Sequence, residues 1–348
     1  MNSRSVTIFA FVSLLVIGNF LFANSKAVAS EKKVKIELST TVALKSCIDL
    51  SADKFANIVE KRSGGRISVT RFRAGQLYGP KQQIEAIAKG ALSMAVLHMA
   101  FVGARSPALE FISSMGAQGC WADYDHYWRF IDLPEVRRIA TREFEAKMNA
   151  KLLGILSYGT GIIGNRKRPI HTIEDYKGIK MRAAGTSAAA LYSALGMIPT
   201  QLSAKEVYMA LQRGTVDGTV SGPDRFYKSK WYEVATYLTQ DYAHPYVSMW
   251  LVVNNDFWKK LTNQDRQVLL QASQEIEKWT RNYAPQDTEK SYEQLKKVVK
   301  DLYFMPKSET KKITIIAKPV MHKLIVKRAG KEIGEELWSL LLKSEKAK

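Results

Sequence analysis

Between residues 34 and 97 the hydrophobic pattern changes period from element to element, and this constrains the fold more than any other feature. Residues 34–39 (VKIELS) alternate apolar and polar side chains, the mark of a strand. In 48–62, Ala52, Phe55, Ala56 and Val59 recur at helical spacing, and Gly64-Gly65 ends that helix. Residues 67–72 read as a second strand. Gly79-Pro80 opens a second helix with proline at its first position, Ile84, Ile87 and Ala88 supply its stripe, and Gly90 stops it. Residues 94–97 read as a third strand. Strands separated by helices do not pair as hairpins. The helix carries the chain back over the sheet, so neighbouring strands run parallel.

The alternation resumes after a less regular middle. Residues 152–157 read as a strand, and 158–165 (YGTGIIGN) are glycine-rich. Thr172 with Asp175 resembles a capping box, and Gly178 ends the short helix that follows. Residues 179–183 read as a strand and 186–195 as a helix of small residues. Ser203 with Glu206 caps a helix over 205–213, closed by Gly214, before a strand at 218–221 and another at 247–253. The last hundred residues are mostly helical. Thr262 and Asp265 cap a helix that runs to about Tyr283, Pro285 is expected to kink or break it, and helix resumes over 288–302. Two more helices follow Ser308. The expected fold class is therefore α/β, in two successive halves. Such halves place ligands in a crevice at the carboxyl ends of their strands, and several crossings between them suggest a hinge.

At 348 residues the chain suits two domains rather than one core. Arg4, the almost wholly apolar run 6–22 and Ala27-Val28-Ala29 form a secretory signal peptide over residues 1–29, cleaved near Ala29. The run is short for a bilayer span of about 20 residues and contains Asn19. The expected product is a soluble protein exported to the periplasm. Its net charge falls from +19 to +17, because residues 1–29 hold Arg4 and Lys26 and no acid. In an oxidising compartment Cys47 and Cys120 form one disulfide or stay as two separate buried thiols. Two cysteines exclude a cysteine zinc cluster, and five scattered histidines show no metal-binding pair, so neither metal nor cofactor is expected.

The chain also resembles a known family, the extracytoplasmic solute receptors of TRAP transporters (DctP-like). The resemblance rests on 55–65 (FANIVEKRSGG), 75–77 (GQL), 84–90 (IEAIAKG), 165–170 (NRKRPI), 175–182 (DYKGIKMR), 196–199 (GMIP), 210–218 (ALQRGTVDG), His244-Pro245-Tyr246 and 254–261 (NNDFWKKL). It implies a two-lobed, periplasmic-binding-protein-like α/β fold with a hinged cleft and a long bridging helix that begins near Asn263. Lobe I would comprise 30–157 with 247–284, and lobe II 158–246 with 285–348. The implied partners are a small carboxylate solute and the small and large integral membrane subunits of an ion-coupled transporter. A receptor with the same fold can instead serve a sensor.

The resemblance makes Arg182, the arginine of the G-x-K-x-R motif, the residue that binds the solute's carboxylate. A guanidinium fork matches a carboxylate in two parallel hydrogen bonds. Ser221 stands where the family has an asparagine after V-D-G, and Asn165 matches an asparagine that contacts solute or braces the hinge. Some members carry a second arginine where this chain has Gly161 and Ile162. One basic anchor is therefore expected, and with it a monocarboxylate that has an apolar or aromatic body. Position near predicted strand ends makes Tyr158, Trp121, Phe226, Tyr246 and Trp250 candidate walls and His98 a candidate contact. For each of these residues core packing is the alternative.

Other functions lack their signatures. No G-x-S-x-G elbow, P-loop or dinucleotide fingerprint occurs, so an exported enzyme is the weaker reading. Lysines and arginines are interleaved with acids such as Glu332, Glu335 and Glu336, unlike a nucleic-acid face.

Overall fold

The computed structural model describes residues 33–244 and 247–346; the predicted signal peptide and Tyr246 lie outside the described residues. Strand β1 (Val34–Thr40) leads through α1 (Cys47–Arg62), β2 (Ile67–Phe72) and α2 (Pro80–Ala88) to β3 (Met94–His98). Helices α3 (Pro107–Ile112), α4 (Tyr124–Ile131) and α5 (Pro134–Met148) precede β4 (Ala150–Gly159). The chain then crosses to β5 (Ile162–Asn165), β6 (Lys180–Ala183), α6 (Thr186–Ala194), β7 (Ile198–Gln201), α7 (Val207–Arg213), β8 (Gly218–Ser221), α8 (Pro223–Lys228) and β9 (Tyr237–Gln240). It returns as β10 (Val247–Asn254) and α9 (Asn255–Lys260), and crosses again along α10 (Asn263–Leu295) to β11 (Asp301–Phe304). Helices α11 (Lys307–Ala329) and α12 (Lys331–Lys346) follow.

The strands form two sheets, ordered β2-β1-β3-β10-β4 and β11-β9-β5-β8-β6-β7. Each contains a parallel set, β1 with β2 and β3, and β6 with β7 and β8. Each also contains strands contributed across the hinge. β10 lies antiparallel between β3 and β4, and β11 joins the far edge beside β9.

The first sheet is covered on both faces. In β3, Met94 and Val96 pack with Phe55 and Val59 of α1, whereas Ala95 and Leu97 face the core that holds Phe144 of α5. In β10, Met249 and Leu251 share the first core and Trp250 and Val252 the second. This is the period-two alternation of a pleated strand with an apolar layer on either side. It also places Trp250, a candidate cleft wall, inside the core. Its ring lies 5.6 Å from that of Phe144, and its indole N–H donates to Ser248 Oγ at 2.8 Å.

The irregular middle of the sequence is three helices. Trp121 sits just before α4, fully buried, with its ring 5.2–5.3 Å from those of His126, Tyr127 and Phe130. Phe226, on α8, is equally buried and meets Trp231 edge-on at 5.6 Å. Both candidates are core residues. The Phe226 ring explains Gly164 in β5: a Cβ there would overlap the ring and come within 2.8 Å of Leu238 Cδ2.

The long helix differs from expectation. It is continuous over 33 residues, about 50 Å, straight through Pro285, and stops at Leu295. Proline removes one backbone donor and costs about 3 kcal/mol in a helix interior. Anchoring on both lobes offsets this. β4 is the edge strand of the first sheet, and its backbone is satisfied by α10 side chains. Ile155 N donates to Glu277 Oε2 at 2.9 Å, Ser157 N donates to Thr280 Oγ1 at 3.1 Å, and Ser273 Oγ donates to Leu153 O at 2.9 Å. Beyond Pro285, Tyr292 and Leu295 join the core under the second sheet. The expected helix over 288–302 is cut short because Asp301–Phe304 pairs with β9, a long-range contact invisible to local periodicity. At the C-terminal end, α11 packs on α6 and α3, and α12 turns onto α3 and α4.

Cys47 and Cys120 are both free and buried. The Cys47 thiol donates to Ser157 O at 3.5 Å, Cys120 belongs to the core around Trp121, and burial pushes both thiols well up. Native protein should therefore resist thiol reagents until denatured, when two thiols per chain should react; a fast-reacting thiol in the folded state would contradict this placement. Gly164→Ala should lower folding stability by about 1–3 kcal/mol through overpacking. An unshifted urea midpoint in that variant would show that the Phe226 contact is not tight.

Candidate ligand-binding cleft

The carboxyl ends of both parallel strand sets point at one cavity of about 80 Å³. A buried water needs roughly 10–15 Å³ by the same measure, so the space suits one small organic molecule. The first sheet contributes Thr41 and Val42 after β1, His98 at the end of β3, Tyr158 near the end of β4 and Met249 of β10. The second contributes Arg182 from β6, Ser221 from β8 and Arg225 from α8. Tyr192 of α6 and Trp231 add aromatic wall.

Arg182 is the penultimate residue of β6, and α6 begins four residues later, so a helix N-terminus adds partial positive charge nearby. The residue is only 7% exposed. Its Nε donates to Leu202 O at 2.9 Å, and no carboxylate lies within ion-pair distance of it among the described residues. Burial pushes its pKa down to about 10, Arg225 pushes the same way, and Tyr192 and Glu206 oppose. The group is still charged at neutral pH. A buried charge without a counter-charge costs several kcal/mol, and an anion arriving in the cavity removes much of that cost. Partly buried arginines elsewhere are treated differently. Arg66 pairs with Asp265, and Arg328 pairs with Glu110 at 2.6 Å.

His98 lines the same cavity. Its Nδ1 accepts from Ala100 N at 3.3 Å, which leaves the ring proton on Nε2. Burial, then Arg182, then Arg225 hold its pKa down at about 4, so the ring is neutral and presents a donor rather than a charge. Tyr158 donates to Asp224 Oδ2 at 3.3 Å. Lys228 lies 3.8 Å from Asp224 and 3.2 Å from Asp287 of α10, and donates to Lys45 O at 3.0 Å. That lysine thus ties the second lobe to the first beside the cleft.

Four of the nine candidates read from sequence, Arg182, Ser221, Tyr158 and His98, line this cavity. Asn165 does not. The antiparallel register pairs Ile162 with Ser221 and Asn165 with Gly218, which puts Asn165 at the opposite end of β8, about 10 Å away. There its Oδ1 accepts from the backbone N–H groups of Lys167 and Arg168 at 2.9 and 3.0 Å, bracing the turn. Trp121, Phe226 and Trp250 lie in the cores, and Tyr246 is outside the described residues. Sequence reasoning missed Arg225, Tyr192 and Trp231. Arg225 belongs to no motif of the resemblance, and its local signal is that it follows the end of a second-sheet strand by four residues, the kind of position that made the aromatic residues candidates. Where one basic residue was expected at the cleft, the structure places two, Arg182 and Arg225, in the lining of the cavity.

A wider groove of about 560 Å³ adjoins at Ala184. Its Arg328 is already engaged by Glu110, Ser187 Oγ at 3.3 Å and Gly103 O at 2.9 Å, so it braces the groove rather than waiting for an anion.

Asp224 generates a pH prediction. Burial, with repulsion from Asp287, raises its pKa to about 6 despite Lys228. Its unfolded value is about 3.9, so the folded state holds the proton more tightly. The carboxylate therefore lowers stability above pH 6, and this penalty disappears as pH falls from 6 towards 4. Asp224→Asn should raise stability at pH 7.5 by on the order of 2 kcal/mol and change little at pH 4. Thermal melts at the two pH values test this, and a variant less stable at pH 7.5 would contradict it.

Comparison with known proteins agrees with this geometry. Residues 38–328 match the model of the DctP family, bacterial extracellular solute-binding protein family 7. Similar proteins include the C4-dicarboxylate-binding protein DctB of Bacillus subtilis, 27% identical over 77% of this chain and 75% of its own length. The C4-dicarboxylate-binding periplasmic protein DctP of Rhodobacter capsulatus is 28% identical over 77% of this chain and 79% of its own. Among solved structures, a TRAP periplasmic solute-binding protein from Desulfovibrio salexigens with bound orotic acid superposes with TM-score 0.82 at 21% identity, covering 90% of this chain and 99% of that one. One from Shewanella oneidensis with bound succinate gives 0.80 at 23% identity, covering 90% and 100%. The two-sheet architecture is theirs, and the match over most of the chain shows that this protein belongs to the DctP family of bacterial extracellular solute-binding proteins.

Proposed function

We propose that this protein is the extracytoplasmic receptor of a TRAP transporter, that it binds a small organic acid in the interlobe cleft through Arg182, and that it delivers the acid to small and large membrane subunits. As a member of a solute-binding family, it is a receptor rather than an enzyme. The observation that carries the proposal is Arg182, a buried and charged guanidinium in a cavity shared by both lobes, without a carboxylate partner among the described residues. The relatives named for C4-dicarboxylates and the neighbour with bound succinate support a carboxylate.

The binding cycle follows from the geometry. The excess of positive charge draws anions towards the cleft. A carboxylate docks on Arg182 with Ser221 beside it. Rotation about the chain crossings then brings His98, Thr41 and Tyr158 of the first lobe over it. Excluding water lowers the local dielectric and strengthens the ion pair. The signal peptide read from residues 1–29 would direct export to the periplasm. No helix among the described residues is long and apolar enough to cross a membrane.

A thermal-shift screen of organic acids tests the proposal. An acid at about a hundred times its Kd should add about 2.7 kcal/mol of stability. Arg182→Ala should weaken that acid by about 30-fold or more, since truncating one partner of a buried charge pair costs about 2–5 kcal/mol. Undiminished binding in the variant would overturn the assignment.

A further inference from the structure

We propose that the outer face of α11 is a membrane-docking surface that holds the protein against a bilayer containing anionic phospholipid, whatever solute the cleft takes. Along this helix Ile313, Ala317, Met321 and Ile325 are buried, one at every fourth residue. Lys311, Ile315, Pro319, Lys323 and Lys327 each stand two residues from that ridge, about 200° around the helix, and all five are exposed. They form a crest about 24 Å long. Exposed Lys307, at the start of α11, and Lys331, at the start of α12, extend it at both ends. Residues 307–331 hold eight lysines and arginines against one acid, Glu309, so a net +7 of the chain's +19 is gathered here.

The fold leaves this charge unmatched. Lys312 pairs with Glu309 at 2.6 Å, Lys318 with Glu345 at 2.8 Å and Arg328 with Glu110 at 2.6 Å, all off the crest. On α12, Glu335 bonds His322 at 2.9 Å and Glu336 lies 3.8 Å from Arg138, so acids that interleave with the lysines in sequence are turned to the flanks. Glu332, exposed beside Lys331, trims the far end only. Among the described residues no acid lies within ion-pair distance of Lys307, Lys311, Lys323, Lys327 or Lys331. Cations spread along a convex helix suit an extended anionic surface rather than one small anion. Each is a lysine, a flexible point charge that meets phosphate from any direction, whereas arginine forks would grip a carboxylate-bearing protein better. Ile315, 64% exposed, and Pro319 lie mid-crest between Lys311 and Lys323. Such an apolar step enters the headgroup layer while the ammonium groups on either side bind phosphates. The helix carries no phenylalanine, tyrosine or tryptophan on which a nucleobase could stack.

Flotation of the chain from Ser30 onward with lipid vesicles tests this. Vesicles with about 30% phosphatidylglycerol should bind it at least about tenfold more tightly than pure phosphatidylcholine, and that affinity should fall severalfold as salt rises from about 50 to about 200 mM. The combined variant Lys311→Gln, Lys323→Gln, Lys327→Gln should weaken binding by about tenfold or more. Ile315→Asp should weaken it by about fivefold or more. A control, Lys35→Gln, Lys61→Gln, Lys89→Gln, removes the same charge from three exposed lysines of the first lobe and should stay within about twofold. Equal binding to both kinds of vesicle, or losses in the crest variants no larger than in the control, overturns the inference. Retention on DNA at an ionic strength that releases the vesicles would assign the crest to nucleic acid and overturn it too.

Discussion

The docking of α10 on the edge of β4 is the contact on which the architecture depends. Three side chains, Ser273, Glu277 and Thr280, meet backbone groups of the strand that no neighbouring strand reaches. An open strand edge is a liability, and here a helix covers it. The same helix continues past Pro285 into the core of the second lobe, so one rigid element registers both sheets. Arg137 and Arg281 reinforce the anchorage by gripping Glu277 and Asp132 from the solvent side. With the helix packed in both lobes, the carboxyl ends of β1, β3, β6 and β8 face one another across a narrow cavity.

The cleft is a study in unequal treatment of like groups. Arginines that hold the fold together are matched with acids, as Arg66 is with Asp265 and Arg328 with Glu110. Arg182 and Arg225 are not matched, although Arg182 is among the most buried of the arginines. Leaving such groups unmatched gives up stability, which under the proposed function an arriving anion restores. His98, which lines the same cavity, stays neutral because burial and two nearby cations make its protonation unfavourable. The site therefore presents a neutral donor from one lobe and two guanidinium groups from the other.

Much of the fold was legible because it is written locally. The strands at 67–72 and 218–221 and the caps at Thr172 and Thr262 follow from period and side-chain chemistry within a few residues. The edge strand β11 was not legible, because pairing with β9 overrides a helical pattern. The aromatic candidates divided on the same principle. Trp250 and Tyr158 both lie in strands of the first sheet, yet Trp250 sits in a strand with an apolar layer on each face and Tyr158 at the open end of another.

By itself, the sequence determined the two α/β halves, the family and the position of Arg182, since each depends on short-range spacing or on motifs in fixed order. Only the tertiary structure decided that α10 runs unbroken, that Trp121, Phe226 and Trp250 are core, and that Arg225 joins Arg182 at the cavity. Whether a side chain meets a core or a cleft depends on what packs against that end or face of its sheet. The packing partner arrives from residues far away in the chain, and no local pattern records it.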